Sequence, residues 1–363
     1  MVDFMTNVIA DGGAILDVEA VRAAWELLFA AVDVPAEDAS LLVDVHIDAE
    51  LRGESSHGMH LLPVQLRKIL AGAIRARPKV TVLSDHAAIA LFDAHHSVGQ
   101  VVAARAMRLA IERARKFGVG IVGVRSASSF TSAKYYPLLA VAEGCVGITY
   151  ANSRPMMPPQ GGAAAVIGNN PVAIAAPAGA EYPFVLDMAC AAAKEKIFQA
   201  AAEGRKIPEN WALDVDGNPT TDPHAALASQ VMLPFGGHKA VGLAMAHELL
   251  TSVLFGGELF TGAGTGFRPY DNPMRVTQYF QAIDVAAFTS LESFRSRMDA
   301  MIAALRHSRR RPNVDRIFVP GERGFLEREK RLAEGIPASP VALQSMRELA
   351  DELGVALPQL ERA

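Results

Sequence analysis

The chain has 363 residues, half of them hydrophobic and a fifth charged, with a formal net charge of −4. That is enough apolar material for a large core in two or more domains, and it argues against a disordered chain or a basic surface built for nucleic acid or an anionic membrane. The only cysteines, Cys145 and Cys190, lie in apolar surroundings, so neither a disulfide framework nor a multi-cysteine metal site is expected.

The opening MVDFMTNVIADGG lacks the basic region and apolar core of a signal peptide, and no apolar run reaches membrane-spanning length. A cytoplasmic protein is expected. Three helices are predicted next. Asp17 suits the N-cap of LDVEAVRAAWELLFAAV, and Pro35 suits the first turn of PAEDASLLVDVHIDAELRG, which Gly53 ends. The third begins just after ESSHGMH and runs through LLPVQLRKILAG, with Pro63 tolerated in its first turn. The ESSHG motif at 54–58 therefore falls on a helix-to-helix corner.

VTVLSD and AAIALFDA read as strands, and VGQVVAARAMRLAIERARKFG as a helix with Gly118 as its C-cap. The β-branched run Val119–Val124 reads as a buried strand. Residues 118–123 match G-x-G-x-x-G, but here helix precedes strand. A dinucleotide turn needs the reverse order, because the pyrophosphate must sit on the free N–H groups of a helix that follows. The glycines are expected to serve the turn and close packing instead.

A helix in SAKYYPLLAVAEG and strands in VGITYA, NPVAIAAPA, YPFVLDMA and VTQYFQAID follow. Two of these strands succeed one another without room for a helix, which predicts an α/β fold with a mixed, predominantly antiparallel sheet. After about residue 287 the pattern returns to helices in LESFRSRMDAMIAALRHS, GFLEREKRLAEG and SPVALQSMRELADEL. The termini are expected to share a helical domain, residues 1–75 with 310–363, around a sheet-containing region at 76–309.

Ser56 and His57 are placed beside a helix start, where an imidazole can pass a proton near neutral pH. Asp187 ends an apolar strand, and its carboxylate either caps a turn or orients a distant imidazole. Gly236-Gly237-His238-Lys239 opens an apolar helix, so N–H groups and an ammonium converge as in an anion site, though a turn with a solvated lysine fits equally.

Taken together and in this order, SSHGMHLLP, the GNNP box, VLDMA, DVDGNPTTDP at 214–223, LPFGGHKAVGLAM and VPGE at 319–322 resemble the malate/L-lactate dehydrogenase family of the non-Rossmann type. That family includes ureidoglycolate dehydrogenase, diketogulonate reductase and the Δ1-piperideine-2-carboxylate/Δ1-pyrroline-2-carboxylate reductases. The resemblance spans nearly the whole chain. It implies NAD or NADP bound without a G-x-G-x-x-G turn, in a part of the chain at about 125–235, and a homodimer with its site near the subunit boundary. His57 would be the proton donor/acceptor, with Ser56 and Asp187 as relay partners. Ser153, Asp187-Met188-Ala189, His238, Lys239 and the Pro320-Gly321-Glu322 turn would lie along the cofactor.

The chain departs from that pattern near the substrate. Leu61 stands where the family usually has an arginine suited to grip a carboxylate, Val64 and Gln65 where an aromatic residue is common, and Ser128-Ser129-Phe130 where a histidine-bearing triplet is found. Arg154 is the candidate to replace the lost charge, and Arg125 a weaker one. The expected activity is hydride transfer to or from a 2-oxo/2-hydroxy acid or a cyclic 2-imino acid, a small molecule rather than nucleic acid or membrane. The alternatives are a dinucleotide-binding relative with impaired catalysis and a reductase of a carbonyl substrate without a carboxylate.

Overall fold

The computed structural model describes residues 13–192, 194–264 and 269–362. Residues 1–12, which contain most of the N-terminal segment discussed above, lie outside them. Strand β1 (Ala14–Leu16) leads into helix α1 (Val18–Ala31), whose free N–H groups are capped by Asp17: its carboxylate accepts from the Ala20 N–H at 2.9 Å. Helix α2 (Ala36–Leu51) starts at Pro35, and α3 (Leu62–Leu70) holds Pro63 in its first turn. Between α2 and α3 the chain makes tight turns, and these carry Ser56 and His57.

Next come β2 (Thr81–His86), β3 (Ile89–Asp93), α4 (Gly99–Phe117) and β4 (Val119–Ala127). The glycines of the dinucleotide-like motif do what their order predicts. Gly118 ends α4 in the left-handed region at φ +85°. A Cβ on Gly120 would lie 2.0 Å from the Ala110 carbonyl oxygen, and one on Gly123 would lie 2.8 Å from the Phe255 ring. Close helix-to-strand packing accounts for both.

The chain continues through α5 (Tyr135–Ala142), β5 (Cys145–Ala151), the short pair β6 (Pro155–Met157) and β7 (Ile167–Gly168), and the hairpin of β8 (Val172–Ala176) and β9 (Phe184–Met188). Helices α6 (Lys194–Ala202), α7 (Pro223–Ser229) and α8 (His238–Glu248) precede β10 (Val276–Asp284). Then follow α9 (Leu291–Arg306), α10 (Glu322–Glu334), β11 (Ile336–Ala338) and α11 (Pro340–Leu353).

The main sheet has seven strands in the order β2-β3-β4-β10-β5-β8-β9, antiparallel throughout except for the β3–β4 pair. This is the mixed, predominantly antiparallel α/β fold that the strand spacing predicts, with β9 and its Asp187 on an edge. A second small sheet pairs β1 with β11, joining the two ends of the chain. One apolar core gathers α1, α2 and α3 with β11 and α11, around the fully buried Trp25, Leu28 and Leu42; another lies between α4 and the sheet, around Met107, Val122 and Phe280. The candidate site opens between these two bodies of structure.

Candidate active site

A cleft of about 920 Å³ runs between the α2–α3 corner and the sheet. On the corner side, Glu54, Ser56, His57, Leu61 and Gln65 line it, with Lys68 and Gln100 deeper. The corner is wound around one buried carboxylate. Glu50, fully buried at the end of α2, accepts from the Met59 N–H at 2.6 Å and the Ser55 hydroxyl at 2.8 Å. A Cβ on Gly58 would lie 2.3 Å from this carboxylate, so the glycine of the SHG motif is there to let the backbone close over Glu50. Burial pushes the Glu50 carboxyl above its usual range, against the pull of its hydrogen bonds and of Arg331.

The Ser56 hydroxyl lies 3.1 Å from His57 Nδ1, so a serine partner for the imidazole is present. Behind it the buried His46 ring reaches the His57 carbonyl at 2.8 Å through Nδ1 and Gln65 Oε1 at 2.8 Å through Nε2, while Gln65 and Gln100 exchange amide hydrogen bonds. Burial pushes the His46 pKa down, which favours the neutral ring. Nδ1 donates to the His57 carbonyl and thereby fixes the turn from below; because a neutral ring carries one N–H, Nε2 then accepts, from a Gln65 amide turned with its NH2 end toward the ring.

The opposite wall is formed by Ser129, Phe130 and Lys134, by Ser153 and Arg154 after β5, and by Asn169 with Asp187-Met188-Ala189 at the edge strand. Ser153 donates its hydroxyl to Asn169 Oδ1 at 2.7 Å and its N–H to Asn170 Oδ1 at 3.0 Å. Arg154 has no hydrogen-bond or ion-pair partner among the described residues, and burial pushes its pKa down. A half-buried guanidinium facing a cleft without a carboxylate of its own is a ready anion site. Arg125, by contrast, is paired with Asp93 at 3.1 Å and lies outside the cleft lining.

The expected contact between Asp187 and His57 is not formed. Asp187 Oδ2 instead accepts from the Lys134 N–H at 3.1 Å and lies 3.6 Å from Lys134 Nζ, because β9 delivers it to the start of α5 rather than to the α2–α3 corner. Lys134 also pairs with Glu54. The residues expected along the cofactor are likewise divided. Ser153, Asp187, Met188 and Ala189 share the cleft with His57, whereas His238 and Lys239 are exposed at the start of α8, beside a smaller pocket of about 450 Å³ bounded by Gly236 and Gly237. Pro320-Gly321-Glu322 packs on the outer side of β9, where Pro320 accepts from the Val185 N–H at 3.2 Å. There Glu322 is buried between Arg306 and Arg316, which commits its carboxylate.

Lys134, His46 and Gln100 were not legible as site residues, and Glu54 entered only as the first residue of the ESSHG motif. The one signal for Lys134 was a charge opening an otherwise apolar helix; His46 looks like any polar residue inside α2. Among the described residues, no group of three or more His, Cys, Asp or Glu is placed to hold a metal ion, and no helix is long and apolar enough to cross a membrane.

Comparison with known proteins places this geometry in context. The malate/L-lactate dehydrogenase family profile matches residues 16–347. A malate dehydrogenase of Pyrococcus abyssi is 38% identical over 329 residues, covering 88% of this chain and 90% of the relative. A (2R)-3-sulfolactate dehydrogenase (NADP(+)) of Chromohalobacter salexigens is 33% identical, covering 80% and 90%, and a ureidoglycolate dehydrogenase (NAD(+)) of Escherichia coli is 30% identical, covering 83% and 85%. Among solved structures, malate dehydrogenase from Pyrococcus horikoshii superposes with a TM-score of 0.87 at 32% identity, covering 96% of this chain and 98% of the other. Δ1-Piperideine-2-carboxylate reductase from Pseudomonas syringae superposes with a TM-score of 0.82 at 29% identity, covering 93% and 99%. With the profile spanning most of the chain and the fold shared end to end, this protein belongs to the malate/L-lactate dehydrogenase family.

Proposed function

We propose that the protein is an NAD(P)-dependent oxidoreductase that transfers hydride to or from a 2-oxo/2-hydroxy acid or a cyclic 2-imino acid, with His57 as proton donor/acceptor. The observation that carries this reading is the convergence, in one cleft, of the Ser56–His57 pair and the unpartnered Arg154. A dinucleotide would lie along the sheet wall: Asp187 and Met188 end the edge strand β9, Ala189 follows it, and Asn169 Nδ2 has no hydrogen-bond partner among the described residues. The bound nicotinamide would supply or accept the hydride. Lys239, at the start of α8, would contribute charge toward a phosphate.

The protein's own residues supply the remaining chemistry. Arg154 holds the substrate carboxylate, and His57, with Ser56 at its Nδ1, protonates the oxygen or nitrogen of the reduced carbon. In the oxidative direction His57 takes the same proton back. The protein is read as a cytoplasmic homodimer. In support of the dimer, Met245, Leu249, Val253 and Leu254 form an apolar stripe along one helical stretch, each more than half exposed at 55–61%. Sedimentation of the purified protein checks that assignment.

The decisive experiment measures NADH and NADPH oxidation with pyruvate, oxaloacetate, Δ1-piperideine-2-carboxylate and diketogulonate. Turnover of a carboxylate-bearing oxo or imino substrate is the expected result. Tight dinucleotide binding with no hydride transfer to any of them would instead make the protein a binding relative without catalysis.

A further inference from the structure

Among the described residues lining the cleft, Lys134 is the one whose ion pairs reach both the His57 corner and the edge strand. It stands just before α5, with its side chain only 10% exposed. Its ammonium pairs with Glu54 of the α2–α3 corner, and both its N–H and its ammonium face Asp187 at the end of β9. Glu54 in turn is three residues before His57 and accepts the His57 N–H through its carbonyl at 2.8 Å. The carboxylates come from segments 133 positions apart in the sequence, one on the proton-transfer turn and one on the edge strand.

We propose that Lys134 is a positioning residue that sets the distance between the His57 turn and the edge strand at Asp187-Met188-Ala189. The inference rests on the oxidoreductase reading given above. In that reading hydride and proton reach the same carbonyl or imine from opposite walls, so the two walls must keep their spacing. A misplacement of about 1 Å can cost about a hundredfold in rate. The corner is also tied to α4 through Gln65 and Gln100, and α3 to the segment before β10 through Lys68 and the Asn272 carbonyl; Lys134 is the tie that ends on the edge strand itself. Glu50 and His46 hold the turn to α2 and α3, on its own side of the cleft. Lys134 works across the gap, and it neutralises one of two carboxylates that would otherwise face each other across the cleft.

Three variants test the proposal: Lys134→Met, Lys134→Arg and the near-isosteric Glu54→Gln, with the double variant Glu54→Gln/Lys134→Met closing a cycle. Steady-state kinetics, cofactor titration and hydrogen exchange of the 55–60 backbone are measured on each. Lys134→Met is expected to lower kcat by about 10- to 100-fold while cofactor affinity stays within about twofold, and to speed exchange across 55–60. Lys134→Arg should recover most of the rate. The double variant should be no worse than Lys134→Met, since both changes break one link.

Unchanged kcat and unchanged exchange in Lys134→Met would overturn the proposal. So would losses that add in the double variant, or a fall in cofactor affinity without a fall in kcat. If Lys134→Met does not fold, Glu54→Gln decides by the same readouts. If the wild-type protein turns over none of the substrates, it is the oxidoreductase reading that fails; the exchange of 55–60 still reports whether Lys134 holds the turn.

Discussion

On the corner wall, the polar groups behind His57 are paired with one another: Glu50 with Ser55 and Met59, His46 with the His57 carbonyl and Gln65, Gln65 with Gln100. Across the cleft, Arg154 faces the same space with no partner among the described residues. In the proposed reading the contrast separates two tasks. A group that must pass a proton in a fixed direction is held from behind by a satisfied network, because a loose imidazole cannot keep its geometry. A group that must receive an anion is left unpaired, because a ready-made carboxylate partner would have to be displaced first.

The sharpest way to break this comparison is on the corner wall. His57→Asn keeps bulk and some hydrogen bonding but cannot shuttle a proton, so turnover should fall by about a hundredfold to ten-thousandfold with cofactor affinity retained in a direct titration. Activity near the wild-type level would remove His57 from the chemistry. On the opposite wall, Arg154→Met should cost about 2–5 kcal/mol of transition-state binding for carboxylate substrates, measured as kcat/KM. A neutral carbonyl substrate should be much less affected, and equal losses on both classes would show that Arg154 does not hold the carboxylate.

The network behind His57 should also show itself in stability. His46 has a folded pKa below its ordinary value of 6.5 because it is buried. As pH falls below that value, the unfolded chain takes up a proton that the folded protein resists, so the stability present above pH 6.5 is lost toward the lower folded pKa. The limiting slope is about 1.4 kcal/mol per pH unit. His247, also shifted down by burial, acts in the same direction, and Glu50, shifted up, acts in the opposite one. Denaturant midpoints at pH 7.5 and 5.5 should therefore differ less in His46→Gln than in the wild type; equal differences would mean that His46 is not held neutral. The smallest effect is expected farthest from the cleft. Lys239 is exposed, so Lys239→Ala should raise the cofactor KM by no more than about fivefold and leave kcat alone.

Much of this was legible in the chain. Asp17, Pro35, Pro63 and Gly118 act at helix ends, where a single residue's backbone and side-chain chemistry decides the outcome, and each stands where its chemistry places it. The succession of β8 and β9 without an intervening helix called for an antiparallel sheet. At the site, Ser56 beside His57 is a local fact, and the structure keeps it. Asp187 and His57 are a distant pair, and no spacing in the sequence tells which charged group a strand end will meet. Asp187 meets Lys134 rather than His57 directly, and Glu322 is held by two arginines.

What the sequence determined by itself was whatever depends on neighbours along the chain: most of the helix boundaries, the strand alternation, the glycines that could not form a dinucleotide turn, and the serine–histidine corner. What only the tertiary structure decided was the pairing of charges across the cleft, the buried carboxylate around which the corner is wound, and the arginine left without a partner. The physical reason is that a capping bond or a turn is settled within a few residues. An ion pair between residues 54, 134 and 187 forms only after helices and sheet have packed, when each charge takes the partner that burial leaves within reach.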